Sequence, residues 1–208
     1  MIIDNVLKNT AASYLKQHDA ALAPIITRAG LCTIVPHREY YRALVNSIIG
    51  QQLSVKAAAS IKQRFVNLFG GTFPAPQTIL TKNVDELRMA GLSNAKARYI
   101  LDLAQHVING TVRFDQLDSQ TNEEIITELT PVKGIGEWTV HMFLMFTMGR
   151  SDILAHGDLG IRTAIRKAYN LNALPSPAEM EVLAGRWRPW CSIASWYLWR
   201  SLEGGANL

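Results

Sequence analysis

Apolar residues recur along the chain at helical rather than strand spacing. Across residues 54–69, SVKAAASIKQRFVNLF, positions Val55, Ala58, Ala59, Ile61, Phe65, Val66 and Leu68 fall near one face. That is the period of an amphipathic helix, and Gly70-Gly71 then stops it. Residues 93–109 repeat the pattern, with Ser93 as cap and Gly110 beyond the end. Capping-box spacing occurs at Asn83/Glu86, Thr121/Glu124 and Ser176/Glu179, the last with Pro177 at the first helical position. Strand-like alternation is weak, and only Thr111–Phe114 suggests a short extended stretch. No repeat, low-complexity tract or Pro/Gly/Ser linker interrupts the pattern. An all-α domain of roughly ten helices follows at average helix length.

Composition narrows the classes. Hydrophobic residues make up 48% of 208 residues, enough for a packed core. The formal charge of +4 permits a nucleic-acid partner without demanding one. The two cysteines, Cys32 and Cys191, are far apart in sequence and too few for a four-thiolate zinc site or iron–sulfur cluster. They read as buried thiols. His106, His141 and His156 have no metal-ligand spacing. The first residues, MIIDNVLKNTAASYLKQHD, carry Asp4 early and no sustained apolar run, unlike a secretory signal. The apolar run Phe143–Met148 is too short to span a bilayer. The default expectation is a soluble protein without a membrane partner: cytoplasmic, nucleoid-associated in a bacterium, or nuclear in a eukaryote.

The most informative stretch is Leu129-Thr-Pro-Val-Lys-Gly-Ile-Gly136. A helix at about 122–129 enters it and another at about 137–148 leaves it. Pro131 ends the first helix, and Gly134 and Gly136 open backbone conformations closed to other residues. The expected result is a tight hairpin presenting backbone N–H groups at a helix N-terminus. Such a site attracts anions, and a DNA phosphate fits it. Contacts of this kind set position rather than base choice.

LTPVKGIGEWT, followed by HGDLGIR, resembles the helix-hairpin-helix DNA glycosylases, most closely the 3-methyladenine DNA glycosylase II family. LVNSIIGQQLSVKAA (44–58) resembles that family's minor-groove probe, and WRPWCSIASWYLWR (187–200) its C-terminal signature. The match runs in order from about Tyr40 to Trp199, and the chain resembles the short form without an N-terminal α/β domain. The resemblance implies one glycosylase domain over 1–208, with two helical lobes flanking a DNA-binding cleft. A central six-helix lobe would occupy about 40–150, and a second lobe about 1–35 and 158–208.

The resemblance also implies chemistry. Asp158 matches the family's catalytic aspartate, which would stabilise an oxocarbenium-like transition state and orient water. By its place before LGIRTAIRKAY, Asp158 equally reads as a helix N-cap, with Arg162 four residues on. Gly157 stands where many relatives have a second acid. Bifunctional relatives carry a lysine where this chain has Trp138, so water is the implied nucleophile and no lyase activity is expected. Trp138, Trp199, Tyr40 and Met142 match or approximate base-pocket positions, where aromatic faces would favour cationic alkylpurines by about 0.5–2 kcal/mol per contact. Most of the tryptophans among Trp187, Trp190, Trp196 and Trp199 read as core. Gln52 would fill the gap left by a flipped base, with Leu53 and Ser54 in the minor groove, although Gln51-Gln52 also reads as a polar loop. Lys133, Gly134, Gly136 and Thr139 would face phosphate. A sodium or potassium ion on the carbonyls of Thr130, Val132 and Ile135 is implied by the family alone. No other cofactor is expected. The expected partner is double-stranded DNA containing damaged bases, bound by a monomer.

Overall fold

The computed structural model describes residues 1–203. Twelve α-helices occur among them, in chain order α1 (Asn5–His18), α2 (Leu22–Ala29), α3 (Tyr40–Gly50), α4 (Val55–Leu68), α5 (Pro76–Ile79), α6 (Val84–Arg88), α7 (Asn94–Ile108), α8 (Asn122–Leu129), α9 (Glu137–Met142), α10 (Leu159–Ala168), α11 (Pro177–Ala184) and α12 (Cys191–Glu203). No strand occurs among the described residues beyond a single bridge between Ile2 and Arg150. The extended stretch expected at Thr111–Phe114 is absent. Val112 is buried there, and its N–H donates to His106 O, folding the chain back over the end of α7.

Local chemistry explains the helix boundaries. Ser54 caps α4 by accepting from Ala57 N–H, and Ser93 caps α7 by accepting from Lys96 N–H. All three capping boxes form, at Asn83/Glu86, Thr121/Glu124 and Ser176/Glu179. Gly70, Gly71 and Gly110 take positive φ where α4 and α7 stop. The helix expected over about 137–148 is regular only to Met142, then widens into a π-helical segment at Phe143–Thr147. Such widening is common at functional positions.

The chain divides into two compact units, residues 39–143 and residues 1–38 with 144–208. In the continuous unit, α7 is the central element and α3, α5 and α6 pack on it. Leu44, Ile48, Phe65, Ile100, Leu103 and Ile125 form its buried core. In the other unit, α12 packs on α2 and α10, and every residue from Cys191 to Leu198 is buried. Trp187, Trp190 and Trp196 are core residues there. Buried Asp19 ties this unit together. It accepts from Ala21 N–H at 2.9 Å, Leu22 N–H at 3.1 Å, Trp187 Nε1–H at 2.8 Å and the Tyr169 hydroxyl. A buried carboxylate is tolerated when its oxygens are saturated in this way.

Candidate functional site

In the continuous unit, the α8–α9 connection is a closed hairpin. Val132 N–H donates to Leu129 O at 3.2 Å, and Ile135 N–H to Val132 O at 3.0 Å. The buried side chains of Val132 and Ile135 anchor the turn. Its two glycines have different reasons to be glycine. Gly134 has φ of +82°, and a Cβ there would lie 2.2 Å from the Tyr99 ring. The fold itself excludes a side chain at that position. Gly136 is extended, with φ of −91° and ψ of 171°, and a Cβ there would meet nothing within 4 Å. The expectation that Gly136 supplies unusual backbone freedom is therefore corrected. It is the N-cap of α9 and brings no side chain to that cap. The space beside it is not used by the protein.

The other sequence-predicted residues of this unit separate into exposed and interior groups. Trp138 is 47% exposed, and Gln52, Leu53 and Ser54 lie at the surface between α3 and α4. Gln52 has φ of +56°, one of two non-glycine residues with positive φ among those described. Met142 is half-buried. Tyr40 is a buried residue at the head of α3, its hydroxyl donating to Asp118 and its ring meeting Phe143 edge-on at 5.5 Å. The Thr139 side chain is buried too, so a phosphate contact there would use its backbone. Lys133 carries an ion pair, with Nζ 3.2 Å from Asp102 Oδ1, and its N–H donates to Asp102 Oδ2 at 2.8 Å. That N–H is already engaged within the fold.

Gln51, legible in the sequence only as part of a polar loop, organises these turns together with Lys96 and Asp102, which the sequence pattern did not single out. Gln51 Nε2 donates to Gly134 O at 2.8 Å. Lys96 Nζ donates to Ile49 O at 2.9 Å and Gln51 O at 2.6 Å. Desolvation pulls the Lys96 ammonium below its ordinary lysine value. Asp102 holds Lys133.

In the other unit, Asp158 is the N-cap of α10 and is only 7% exposed. Its Oδ1 accepts from Ile161 N–H at 2.7 Å and from Trp199 Nε1–H at 2.9 Å. The capping role is therefore real, and α12 supplies a second donor through Trp199. The Trp199 ring lies 5.5 Å from that of Phe146. A Cβ on Gly160 would lie 2.8 Å from Trp199 Nε1 and 3.0 Å from Asp158 Oδ1, so this contact requires glycine. Arg162 directs Nε to Pro175 O at 3.0 Å. Just before the aspartate, His156 Nε2 lies 2.8 Å from Glu181 Oε1, and Arg188 bridges Glu181 and Asp152. Among the described residues no group of three or more His, Cys, Asp or Glu could hold a metal ion.

An all-helical chain with a glycine hairpin between α8 and α9 is what the helix-hairpin-helix class of proteins presents. The chain belongs to that family: residues 45–189 match the HhH-GPD superfamily base excision DNA repair protein model. It is 33% identical over 166 residues to DNA-3-methyladenine glycosylase 1 of Schizosaccharomyces pombe, covering 79% of this chain and 73% of that one. It is 29% identical over 195 residues to the alkylbase DNA glycosidase-like protein mag2 of the same yeast, covering 91% and 92%. The structure of S. pombe 3-methyladenine DNA glycosylase Mag1 in complex with abasic DNA superposes with a TM-score of 0.79 at 31% identity, over 93% of this chain and 97% of that one. None of the described helices is long and apolar enough to cross a membrane.

Proposed function

We propose that this protein is a monofunctional DNA glycosylase that hydrolyses the N-glycosidic bond of alkylated purines, of the 3-methyladenine and 7-methylguanine type, in base-excision repair. The observation that carries the reading is Asp158: a carboxylate almost withdrawn from solvent, held by two N–H donors at a helix N-terminus. Preorganised negative charge of this kind stabilises a developing oxocarbenium ion. In the step, the bond from C1′ to the purine nitrogen breaks and its electron pair leaves with the base. Alkylation already makes the base cationic, so it departs neutral. Water adds to C1′ and its proton passes to bulk solvent, leaving an abasic site. No amine attacks the sugar, because position 138 is tryptophan.

The other roles follow by chemistry. The hairpin beside Gly136 receives a phosphate of double-stranded DNA. The base is extruded at a cost of about a few kcal/mol, and Gln52 occupies the vacated stack with Leu53 and Ser54 alongside. Trp138, with half its surface open, and Met142 bound the base site. Trp199 acts through its hydrogen bond to Asp158. A sodium or potassium ion on the carbonyls of Thr130, Val132 and Ile135 suits a hard oxygen donor set. The Val132 carbonyl keeps a lone pair after accepting from Ile135 N–H. Such an ion would supply positive charge to a bound phosphate. The protein acts as a monomer.

The test is a lesion panel, with methylated, deaminated and oxidised bases each in duplex DNA, assayed with the wild-type protein and Asp158→Asn. Release of methylated purines by the wild type alone supports the reading. Release only of another lesion class moves the substrate. Equal release by the variant removes Asp158 from the chemistry.

A further inference from the structure

One face of α7 carries Lys96, Tyr99 and Asp102 at successive three-residue intervals, and each grips a different part of the candidate interface. Lys96 reaches the end of α3 and the turn after it. The Tyr99 ring occupies the space that a side chain on Gly134 would need. Asp102 holds the backbone and ammonium of Lys133. Gln51 then closes the circuit by donating to Gly134 O.

Lys96 is the unusual member. It sits in the first turn of α7, where its own helix dipole disfavours a cation. It is also partly desolvated. Part of both costs is recovered at the other helix: the ammonium donates to the last carbonyls of α3 and the turn after it, where the dipole favours positive charge. The turn it holds contains Gln52 in a left-handed conformation that an L side chain rarely adopts. Beyond it, Leu53 and Val55 project into solvent, Val55 with 89% of its surface exposed. Strained, projecting backbone persists only when its surroundings over-determine it.

We infer that Lys96 and Gln51 are positioning residues that hold the Gln52 turn in its strained, projecting form and tie it to the phosphate-binding hairpin. The inference rests on the glycosylase reading for its purpose. It assigns the work of keeping the groove probe ready to two side chains that need touch no DNA. Without the ammonium the turn relaxes, Gln52 leaves the left-handed region, and the probe meets the duplex unprepared. Base extrusion then suffers more than binding or bond cleavage.

Two measurements test it on the full chain. Amide hydrogen exchange needs no substrate. Lys96→Met should speed exchange at Gln51 and Leu53, whose N–H groups donate to Ser47 O and Gly50 O, by about tenfold or more, the scale of a charge-assisted hydrogen bond, with the α4 and α8 interiors unchanged. Lys96→Arg should restore most of the protection, and Gln51→Leu should loosen the bonded amides of Leu53 and Ile135 together. Unchanged exchange in Lys96→Met, or acceleration spread through the whole unit, overturns the inference. The second measurement compares release of 7-methylguanine from a paired site and from a mismatched site, where extrusion costs less. Lys96→Met should lose about tenfold on the paired site and much less on the mismatched one. Equal losses on both would reduce Lys96 to a folding residue. A wild-type protein that releases nothing would end the glycosylase reading, while the exchange data would still decide the positioning.

Discussion

Gly136→Asp separates folding from DNA binding. The position is extended and its Cβ would meet nothing within 4 Å, so aspartate enters without strain. It is also the N-cap of α9, where aspartate is among the favoured residues. Relative to glycine the gain in stability is a few tenths of a kcal/mol, up to about 1 kcal/mol with the helix dipole. If a phosphate occupies the same space, the carboxylate confronts it at about 4 Å. Two like charges at that separation repel by about 1–4 kcal/mol between water and a protein-surface dielectric, or roughly fivefold to several hundredfold in affinity. One lost phosphate contact should also flatten the salt dependence by about one unit in the slope of log K against log salt. The assays are thermal unfolding and fluorescence anisotropy on several unrelated duplexes between low and moderate salt. The variant should be at least as stable as the wild type and weaker on every duplex alike. Wild-type affinity with an unchanged salt slope would refute a phosphate at Gly136. Gly134→Ala is the opposite control. Its positive φ and the Tyr99 ring should cost about 2–4 kcal/mol of stability, so its binding loss would come with a lowered Tm.

Asp158→Asn keeps an acceptor oxygen for Ile161 N–H and Trp199 Nε1–H, so stability should fall by about 1 kcal/mol or less while base release drops by about a hundredfold or more. Gly160→Ala adds helix propensity of about 1 kcal/mol but drives a methyl group into Trp199. Its Tm should stay near the wild-type value while kcat falls, and an unchanged kcat would release Trp199 from its role. Asp19→Leu strands two backbone donors, an indole N–H and a tyrosine hydroxyl, and should cost about 3–5 kcal/mol by denaturant unfolding. Burial raises the thiols of Cys32 and Cys191 above 9.0 and the hydroxyls of Tyr41, Tyr169 and Tyr197 above 10.0, Tyr197 to about 12. Each group holds its proton longer folded than unfolded, so this stability is complete below about pH 9 and declines as pH rises through the folded values. Unfolding midpoints should therefore fall from about pH 9 upward, and a flat profile to pH 11 would contradict the burial of these groups.

The helical boundaries were largely legible because they rest on local chemistry. A Ser or Thr oxygen and a glutamate three residues later satisfy donors within one turn, and the boxes at 83, 121 and 176 formed as their spacing required. Asp158 was legible as a cap, since it directly precedes a helical run. The hairpin was legible as a turn, but the separate reasons for its glycines were not. Gly134 depends on Tyr99, thirty-five positions away in sequence and visible only after folding. Tyr40 matched a pocket position by sequence but is buried against Phe143 with its hydroxyl on Asp118. Lys96 could have been suspected, since a lysine in the first turn of a helix opposes the local preference. Its partners, carbonyls of Ile49 and Gln51, carry no side-chain signature to search for.

The stripe on α7 also bears on robustness. Both turns, at Gln52 and at Gly134, are referenced to one helix of 15 residues, and the Gln51–Gly134 hydrogen bond joins them directly as well. When that helix shifts, the two turns travel with it, and the interval between them is kept. Exposed positions such as Met89, just beyond α6, can therefore change without disturbing the spacing, whereas a kink between Lys96 and Asp102 would spoil it at once.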